Sequence, residues 1–320
     1  MDTTTGGGMK AVFLDAGTLP AALAPPAWLG AWRAYAHTPA HAVAERLADA
    51  DIAITNKVPL GRADLARLPR LALVCVAATG YDCIDLQACR ERGVAVCNVP
   101  AYSAQSVAEW VVGCLYALRR RLPHYMALAR RDWPGAANFC VHGEPQADVA
   151  GSTLGIVGRG AIGRRVGELA SGVGVRVLYA ERRGRAPRDG YHDFDEVLAR
   201  SDAVSLHCPL DADTHGLMGA AQFARMRPGA LLINSARGAL VDEAALCAAL
   251  AGGRLGGAAL DVLAAEPPGA GHPLWALGHP NLIVTPHVGW AAQDGVQGLA
   301  RGILQNLEAF RRGQPANRVA

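Results

Sequence analysis

Three polar residues of types suited to acid–base chemistry each follow a strand-like segment in the later part of the sequence. Arg237 follows ALLIN, Glu266 follows GAALDV and His287 follows LIVT. An imidazole can deliver a proton near neutral pH, a neighbouring carboxylate stabilises its cation, and a guanidinium can grip a carboxylate with two hydrogen bonds. Each residue alone is equally well explained as a turn or surface residue, whereas the set favours catalysis on a 2-keto acid.

A glycine-rich turn in the middle of the chain predicts a dinucleotide site. The segment TLGIV runs directly into GRGAIG, and a helical segment follows. The first glycine permits a tight turn, the second lets the backbone approach a pyrophosphate, and the third allows close helix packing. Free N–H groups at the helix N-terminus favour the phosphates. The predicted cofactor contacts here are Gly158, Gly160, Ala161, Ile162 and Gly163.

A carboxylate suited to bind ribose hydroxyls follows the next strand-like segment. Glu181 comes directly after VRVLYA and lies 18 residues beyond Gly163. A carboxylate there bonds a free 2′-hydroxyl and repels a 2′-phosphate, whereas the adjacent Arg182 can pair with that phosphate. The two signals conflict. The sequence favours NAD as the cofactor and leaves NADP open, with Glu181 and Arg182 as predicted contacts.

The segments that must position these residues form two alternating series. Strand-like runs begin near residues 10, 52, 71 and 94, and then near 153, 175, 203, 230, 257 and 282, with helical segments between them. This alternation predicts an α/β protein with parallel sheets covered by helices, doubly wound in the second series. Long helices are expected over 103–122 and about 293–310, and an irregular crossing between the domains over 132–150.

The composition of the 320-residue chain narrows the class of protein. Hydrophobic residues make up 51% of the chain and charged residues 18%, as in globular proteins with large cores. The net charge of +3 and the scattered basic residues predict no nucleic-acid partner. The absence of an apolar run of ~18 residues predicts no membrane partner. MDTTTGGGMK is expected to be a loose polar extension rather than a signal peptide, so a cytoplasmic location is predicted.

The eight cysteines include no C-x-x-C pair and none at zinc-ligand spacing from a histidine. They are therefore expected to be small buried hydrophobes in a reducing compartment, and no metal site is predicted.

Long, ordered motifs make the chain similar to the D-isomer-specific 2-hydroxyacid dehydrogenases. The resemblance covers nearly the whole chain and rests on ATGYDCIDL, NVPAYSAQSVAE, LGIVGRGAIG, LHCPL, MRPGALLINSARGALVDEAAL, LDVLAAEPP and NLIVTPHVGW. ITNKVPL, VAATGYD, the ERRG after the second cofactor strand and Trp290 resemble the glycerate dehydrogenase (hydroxypyruvate reductase) branch.

The resemblance implies two Rossmann-like, doubly wound parallel-sheet domains with the active-site cleft between them, and a division of labour between these domains. Residues 1–100 with the C-terminal helix 290–320 would form the substrate domain, and residues 101–289 the NAD(P)-binding domain. Arg237, Glu266 and His287 match the catalytic triad of the family. The implied substrate contacts are Thr79, Gly80, Arg237 and His287, and the further implied cofactor contacts are Val107, His207, Cys208, Pro209, Thr214, Ser235, Ala236 and Asp261. Family members are usually homodimers, so a homodimer is expected.

The reaction implied by the resemblance is hydride transfer between NAD(P)H and a small 2-keto acid. Hydroxypyruvate or glyoxylate would be reduced to D-glycerate or glycolate, with His287 as general acid/base and Arg237 as carboxylate clamp. A formate dehydrogenase would carry a glutamine in place of Glu266. A phosphoglycerate dehydrogenase and a nucleotide-sensing corepressor on the same fold remain open alternatives. Arg159, Arg164 and Arg165 add positive charge near the phosphates, which bears on the choice of cofactor.

Overall fold

The structure, a computed structural model, describes residues 8–320. Of the expected loose extension MDTTTGGGMK, residues 1–7 lie outside the described part, and its last residue, Lys10, begins the first strand. The chain forms two compact units. The first unit comprises the described residues up to Ser103 together with Ala291–Ala320, and the second unit comprises Ala104–Trp290.

The regular elements alternate along the chain, as expected for an α/β protein. The strands are β1 (Lys10–Phe13), β2 (Ala31–Ala34), β3 (Ile52–Thr55), β4 (Leu73–Val76), β5 (Ala95–Cys97), β6 (Thr153–Val157), β7 (Arg176–Ala180), β8 (Ala203–Leu206), β9 (Ala230–Asn234), β10 (Leu255–Leu260) and β11 (Leu282–Val284). The α-helices are α1 (Val43–Arg46), α2 (Arg62–Leu65), α3 (Leu86–Glu91), α4 (Ala104–Arg119), α5 (Leu122–Arg131), α6 (Ala161–Gly172), α7 (Phe194–Arg200), α8 (Ala220–Arg225), α9 (Glu243–Ala251), α10 (Pro273–Leu277) and α11 (Gln293–Arg311).

The first unit is built on a five-stranded parallel sheet in the order β2-β1-β3-β4-β5. Every residue of β3, β4 and β5 is buried, as expected for strands covered by helices on both faces. Strand β2 lies at the edge, is only partly buried and pairs with β1 alone. Its sequence AWRA carries no apolar run, which is why the sequence indicated only a loop there.

The second unit contains a six-stranded parallel sheet in the order β11-β10-β9-β8-β6-β7. A single parallel bridge between Ala180 and His192 adds a further chain segment beside β7. With His192 counted as a reduced third strand, the order matches the usual dinucleotide-binding sheet, and its direction of winding reverses between β6 and β8. The two parallel sheets confirm the predicted α/β class.

Of two expectations about the segment after residue 103, the long helix is confirmed with an earlier end, and the crossing between domains is wrong. The long helix predicted over 103–122 ends at Arg119, because Arg121 adopts a left-handed φ of 49° before α5 begins. The segment 132–150 is irregular but lies wholly inside the second unit, so it is not the crossing between units. Hydrogen bonds from Arg121 Nε to Pro145 O and from Tyr125 Oη to Glu144 O fasten this segment to the region of α4 and α5.

Among residues 8–320, no helix is both long and apolar enough to cross a membrane.

Candidate active site

The glycine-rich turn after β6 fits a dinucleotide pyrophosphate. Gly158 has a left-handed φ of 99°, and a Cβ there would lie 2.6 Å from the backbone of His207 and from Cys208 N. A Cβ on Gly163 would lie 2.0 Å from Gly158 O, so α6 packs directly on the turn. Gly160 is the N-cap of the 12-residue helix α6, and a Cβ there would meet nothing within 4 Å. The turn therefore leaves an open helix N-terminus, begun by Ala161 and Ile162, where phosphates are favoured.

The loop after β8 closes against this turn. His207 N donates to Val157 O at 2.7 Å, and its Nε2 lies 2.8 Å from Ser205 Oγ. Desolvation lowers the pKa of His207 to about 3, so the ring is neutral at physiological pH. Burial raises the pKa of the Cys208 thiol to about 11, which leaves no nucleophilic thiolate. Thr214 Oγ1 donates to Pro209 O at 2.8 Å and holds the loop closed.

The Glu181 carboxylate, predicted to face the ribose, is already engaged by its own chain. It lies directly after β7 and is 3% exposed. Arg188 donates to it through Nε (2.5 Å) and Nη2 (3.0 Å), and Arg182 N donates at 2.8 Å. These contacts lower the pKa of the Glu181 carboxyl to about 2. Arg182 therefore contacts Glu181 through its backbone, and sequence reasoning missed Arg188 altogether.

The Arg237 loop after β9 is fixed by the fully buried Asn234. Ala236 N donates to Asn234 Oδ1 at 3.0 Å, and Asn234 Nδ2 donates to Arg237 O at 2.9 Å. The hydroxyl of Ser235 is buried, and no hydrogen-bond partner is found for it in the described part of the chain. A buried, unsatisfied hydroxyl at a predicted cofactor position fits a group that the cofactor would supply.

The Arg237 and Glu266 loops touch each other. A Cβ on Gly238 would lie 1.9 Å from the carbonyl carbon of Leu263, so only glycine allows this approach of the two backbones. Glu266 lies three residues after Leu263, and its Oε1 accepts a hydrogen bond from Leu263 N at 3.0 Å.

His287 and Glu266 form the central contact of the site. His287 Nδ1 lies 2.6 Å from Glu266 Oε2, and the side chains are 27% and 34% exposed. The carboxylate is an acceptor, so Nδ1 carries a hydrogen and the other ring nitrogen, Nε2, remains to exchange a proton. The two residues follow the adjacent strands β10 and β11, which is why the predicted pair meets.

The buried carboxylate of Asp261 shapes the turn that carries His287. His287 has a φ of 57°. This conformation costs a non-glycine residue roughly 1–3 kcal/mol and persists only where surrounding contacts hold it. His287 N donates to Asp261 O, while Asp261 Oδ1 accepts from Thr285 Oγ1 (2.5 Å) and Val288 N (2.9 Å). Gly289 N donates to Asp261 Oδ2 at 2.8 Å. Sequence reasoning assigned Asp261 to the cofactor and missed this positioning contact.

A second histidine–glutamate pair holds the loop that carries Glu266. Glu243, at the start of α9, accepts from Ala264 N at 2.8 Å and lies 3.1 Å from His272 Nε2. His272 Nδ1 in turn accepts from Leu274 N and caps α10. The loop from 264 to 272 is therefore fastened to one carboxylate at both ends. The motif VDEAAL contained Glu243, but nothing in the sequence indicated its partner.

The remaining predicted residues make contacts within their own units. Thr79 and Gly80 belong to the first unit, where Thr79 Oγ1 donates to Val99 O at 3.1 Å and Asn98 Nδ2 donates to Thr79 O at 2.7 Å. Val107 is buried on α4 in the core of the second unit. No group of three or more histidine, cysteine, aspartate or glutamate side chains suited to a metal ion occurs in the described residues.

Comparison with known proteins shows which family the chain resembles in sequence. Residues 112–289 match the sequence model of the D-isomer specific 2-hydroxyacid dehydrogenase, NAD binding domain. The chain is 43% identical to a glycerate dehydrogenase of Methylorubrum extorquens over 97% of this chain and 98% of that protein. It is 34% identical to a hydroxypyruvate reductase of Blautia hydrogenotrophica, with 87% of each chain covered.

A solved structure shares the fold over nearly the full length. The structure is an acyclic imino acid reductase in complex with NADPH and D-Arg. It superposes with a TM-score of 0.83 at 27% identity, covering 98% of this chain and 100% of that one.

Proposed function

Because the chain belongs to the D-isomer-specific 2-hydroxyacid dehydrogenase family, we propose that it reduces hydroxypyruvate and glyoxylate to D-glycerate and glycolate. The chain is an NAD(P)-dependent oxidoreductase that interconverts 2-keto and 2-hydroxy acids. The alternatives, a phosphoglycerate dehydrogenase and a nucleotide-sensing corepressor, are not favoured, since the relatives are named for small hydroxy acids. The observation that carries the proposal is the contact between His287 and Glu266 in the same unit as the glycine-rich turn.

Bound NAD(P)H supplies the hydride that reduces the keto carbon. His287 Nε2 gives a proton to the oxygen that becomes the hydroxyl, while Nδ1–H remains bonded to Glu266 and its carboxylate stabilises the imidazolium. In the reverse direction, the same nitrogen takes the proton back. The reaction balances as keto acid, NAD(P)H and one proton to hydroxy acid and NAD(P)⁺.

A guanidinium binds the substrate in this proposal. Arg237 grips the substrate carboxylate with its planar guanidinium and polarises the keto oxygen. Asn234, which fixes the Arg237 backbone, keeps this clamp in one orientation.

The test is oxidation of NADH, and separately of NADPH, with hydroxypyruvate, glyoxylate and pyruvate, followed at the nicotinamide absorbance. The proposal predicts fast turnover with the first two acids and slower turnover with pyruvate, whose methyl group is bulkier than the hydrogen of glyoxylate and lacks the hydroxyl of hydroxypyruvate. Tight cofactor binding without turnover of any of the three acids would contradict it and would favour the corepressor alternative.

We also propose that the chain acts as a homodimer through an exposed apolar strip of the second unit. Large apolar side chains stand in solvent along α4, α5 and the segment that follows: Tyr116, Leu122, Met126, Trp133 and Phe139. Phe139 is 90% exposed. Exposed apolar surface that is contiguous typically marks an interface, and we propose that these side chains form such a surface. Light scattering should give twice the chain mass for the wild type, and the Met126→Glu, Phe139→Asp double variant should be monomeric. Val173→Asp, at an exposed apolar position at the end of α6, is the control. A monomeric wild type would contradict the proposal.

A reducing compartment, the cytoplasm, is the location we propose. All eight cysteines are free, including Cys75 and Cys97, which are register partners on the adjacent strands β4 and β5. Fractionation of the source cells should place the protein with cytoplasmic enzymes; recovery with the secreted fraction would contradict the proposal.

A further inference from the structure

The end of the site that would face the adenosine ribose contains a carboxylate that is neutralised from within the chain. Glu181 follows β7, and Ala180 is the register partner of Val157, which immediately precedes Gly158. A carboxylate at this place ordinarily accepts the ribose hydroxyls and repels a 2′-phosphate. Here both oxygens of Glu181 accept hydrogen bonds from Arg188 and Arg182 instead.

Arg188 is held in place on both sides. Its Nε and Nη2 contact Glu181, and its guanidinium carbon lies 4.6 Å from the centre of the Tyr191 ring. The Arg188 side chain is 65% exposed, whereas that of Glu181 is 3% exposed. The pair therefore presents a cation to solvent and hides the anion beneath it.

A second guanidinium approaches the same tyrosine. Arg159, between Gly158 and Gly160 in the glycine-rich turn, lies 4.4 Å from the Tyr179 ring centre and 5.4 Å from that of Tyr191. Arg159 and Arg188 thus both contact Tyr191, and the chain between Glu181 and Arg188 adds Arg182, Arg183 and Arg185. The charge at this end of the site is strongly positive.

We propose that Arg188 determines cofactor specificity: by covering and neutralising Glu181, it makes the site admit the 2′-phosphate of NADP(H) as well as the free ribose of NAD(H). The inference rests on the proposed function and deepens it. A guanidinium is the side chain best suited to a phosphate, and a carboxylate already paired with one no longer repels that phosphate. Glu181 alone predicts a preference for NAD, whereas Glu181 paired with Arg188 predicts the use of both cofactors.

The proposal is tested by equilibrium calorimetry of the full-length protein with NADP⁺ and NAD⁺. Adenosine 2′,5′-bisphosphate and 5′-AMP serve as fragment probes that isolate the 2′-phosphate from the nicotinamide. The variants are Arg188→Ala, the matched control Arg185→Ala from the same loop, and the double variant Glu181→Gln, Arg188→Ala. Circular dichroism shows that each variant is folded.

The wild type is expected to bind NADP⁺ within about tenfold of NAD⁺. Arg188→Ala should weaken NADP⁺ and the bisphosphate by roughly tenfold or more, because it removes a cation and uncovers an anion, while NAD⁺ binding changes little. Arg185→Ala should have a smaller effect. The double variant should regain part of the NADP⁺ affinity, because the repelling carboxylate is gone.

Three results would overturn the inference: an unchanged affinity ratio in Arg188→Ala, an equal loss in Arg185→Ala, or no recovery in the double variant. Reduction of hydroxypyruvate with NADH by the wild type is measured alongside. Its failure would refute the proposed function, whereas normal NADH turnover with an unchanged NADP⁺ ratio would refute the role of Arg188 alone.

Discussion

Glu181 and Glu266 both follow a strand of the same parallel sheet, yet their surroundings give them opposite roles. Glu266 is one-third exposed and holds an imidazole whose far nitrogen is available for a proton. Glu181 is buried and is itself held by a guanidinium that remains exposed. The comparison shows that the end of a strand predicts where a carboxylate lies. The side chain paired with the carboxylate determines whether that carboxylate takes part in the chemistry or is neutralised.

The largest effect is expected at the imidazole held by Glu266. His287→Ala should lower turnover of hydroxypyruvate by about 10²–10⁴-fold, because the proton donor is lost. Cofactor affinity, measured by calorimetry, should stay within about threefold of the wild type, since the glycine-rich turn is untouched. Near-normal turnover would sink the assignment of His287.

A smaller effect is expected at the substrate clamp. Arg237→Lys should raise KM for the keto acid by about tenfold, because an ammonium cannot make the forked contact with a carboxylate. Steady-state kinetics would show this rise, with kcat changed less than KM. Arg254→Lys is the control, because it removes a guanidinium elsewhere in the same unit. Arg254 donates a hydrogen bond to Phe223 O. An unchanged KM in Arg237→Lys counts against the clamp.

Removing the contacts that hold the Glu266 loop should lower turnover less than removing His287 does. Glu243→Ala removes the acceptor for Ala264 N and the partner of His272, so the loop that carries Glu266 loosens. We expect turnover to fall by roughly threefold to thirtyfold through misplacement of the catalytic pair. Glu196→Ala, which removes a glutamate from the first turn of α7, is the matched control. Equal effects of the two substitutions would mean that Glu243 serves only its helix.

The smallest effect is expected at Glu181 itself. The folded-state pKa of Glu181 is about 2, below its value in the unfolded chain, so the ion pair with Arg188 stabilises the fold above that unfolded value. The contribution is lost as pH falls through the folded value. Melting curves should therefore show Glu181→Gln modestly less stable by a constant margin from pH 5 to 8, with the margin shrinking toward pH 2. A stability difference between the wild type and Glu181→Gln that varies between pH 5 and 8 would contradict a Glu181 carboxyl that stays ionised over this range.

The sequence was sufficient where a local pattern dictates the structure. Glycines at fixed spacing determine the turn around Gly158, and polar residues after consecutive parallel strands come together because their carboxyl ends share one sheet edge. His287 and Glu266 could therefore be paired from the sequence, and the structure places them 2.6 Å apart.

The sequence was insufficient where a side chain chooses its partner through a loop. Arg188 reaches back seven positions to Glu181 only because the bridge at His192 folds the loop onto β7. Asp261 was expected at the cofactor, but its carboxylate also gathers the N–H groups of the His287 turn. Strand β2 was missed because an edge strand does not require apolar residues on both faces.

A double-mutant cycle on the catalytic pair tests most directly whether Glu266 acts through His287. Turnover of hydroxypyruvate with saturating NADH is measured for Glu266→Gln, His287→Ala and the double variant. We predict that Glu266→Gln lowers turnover by roughly tenfold or more in the wild-type background and by less than about twofold once His287 is absent. The same fold-loss in both backgrounds would contradict the claim.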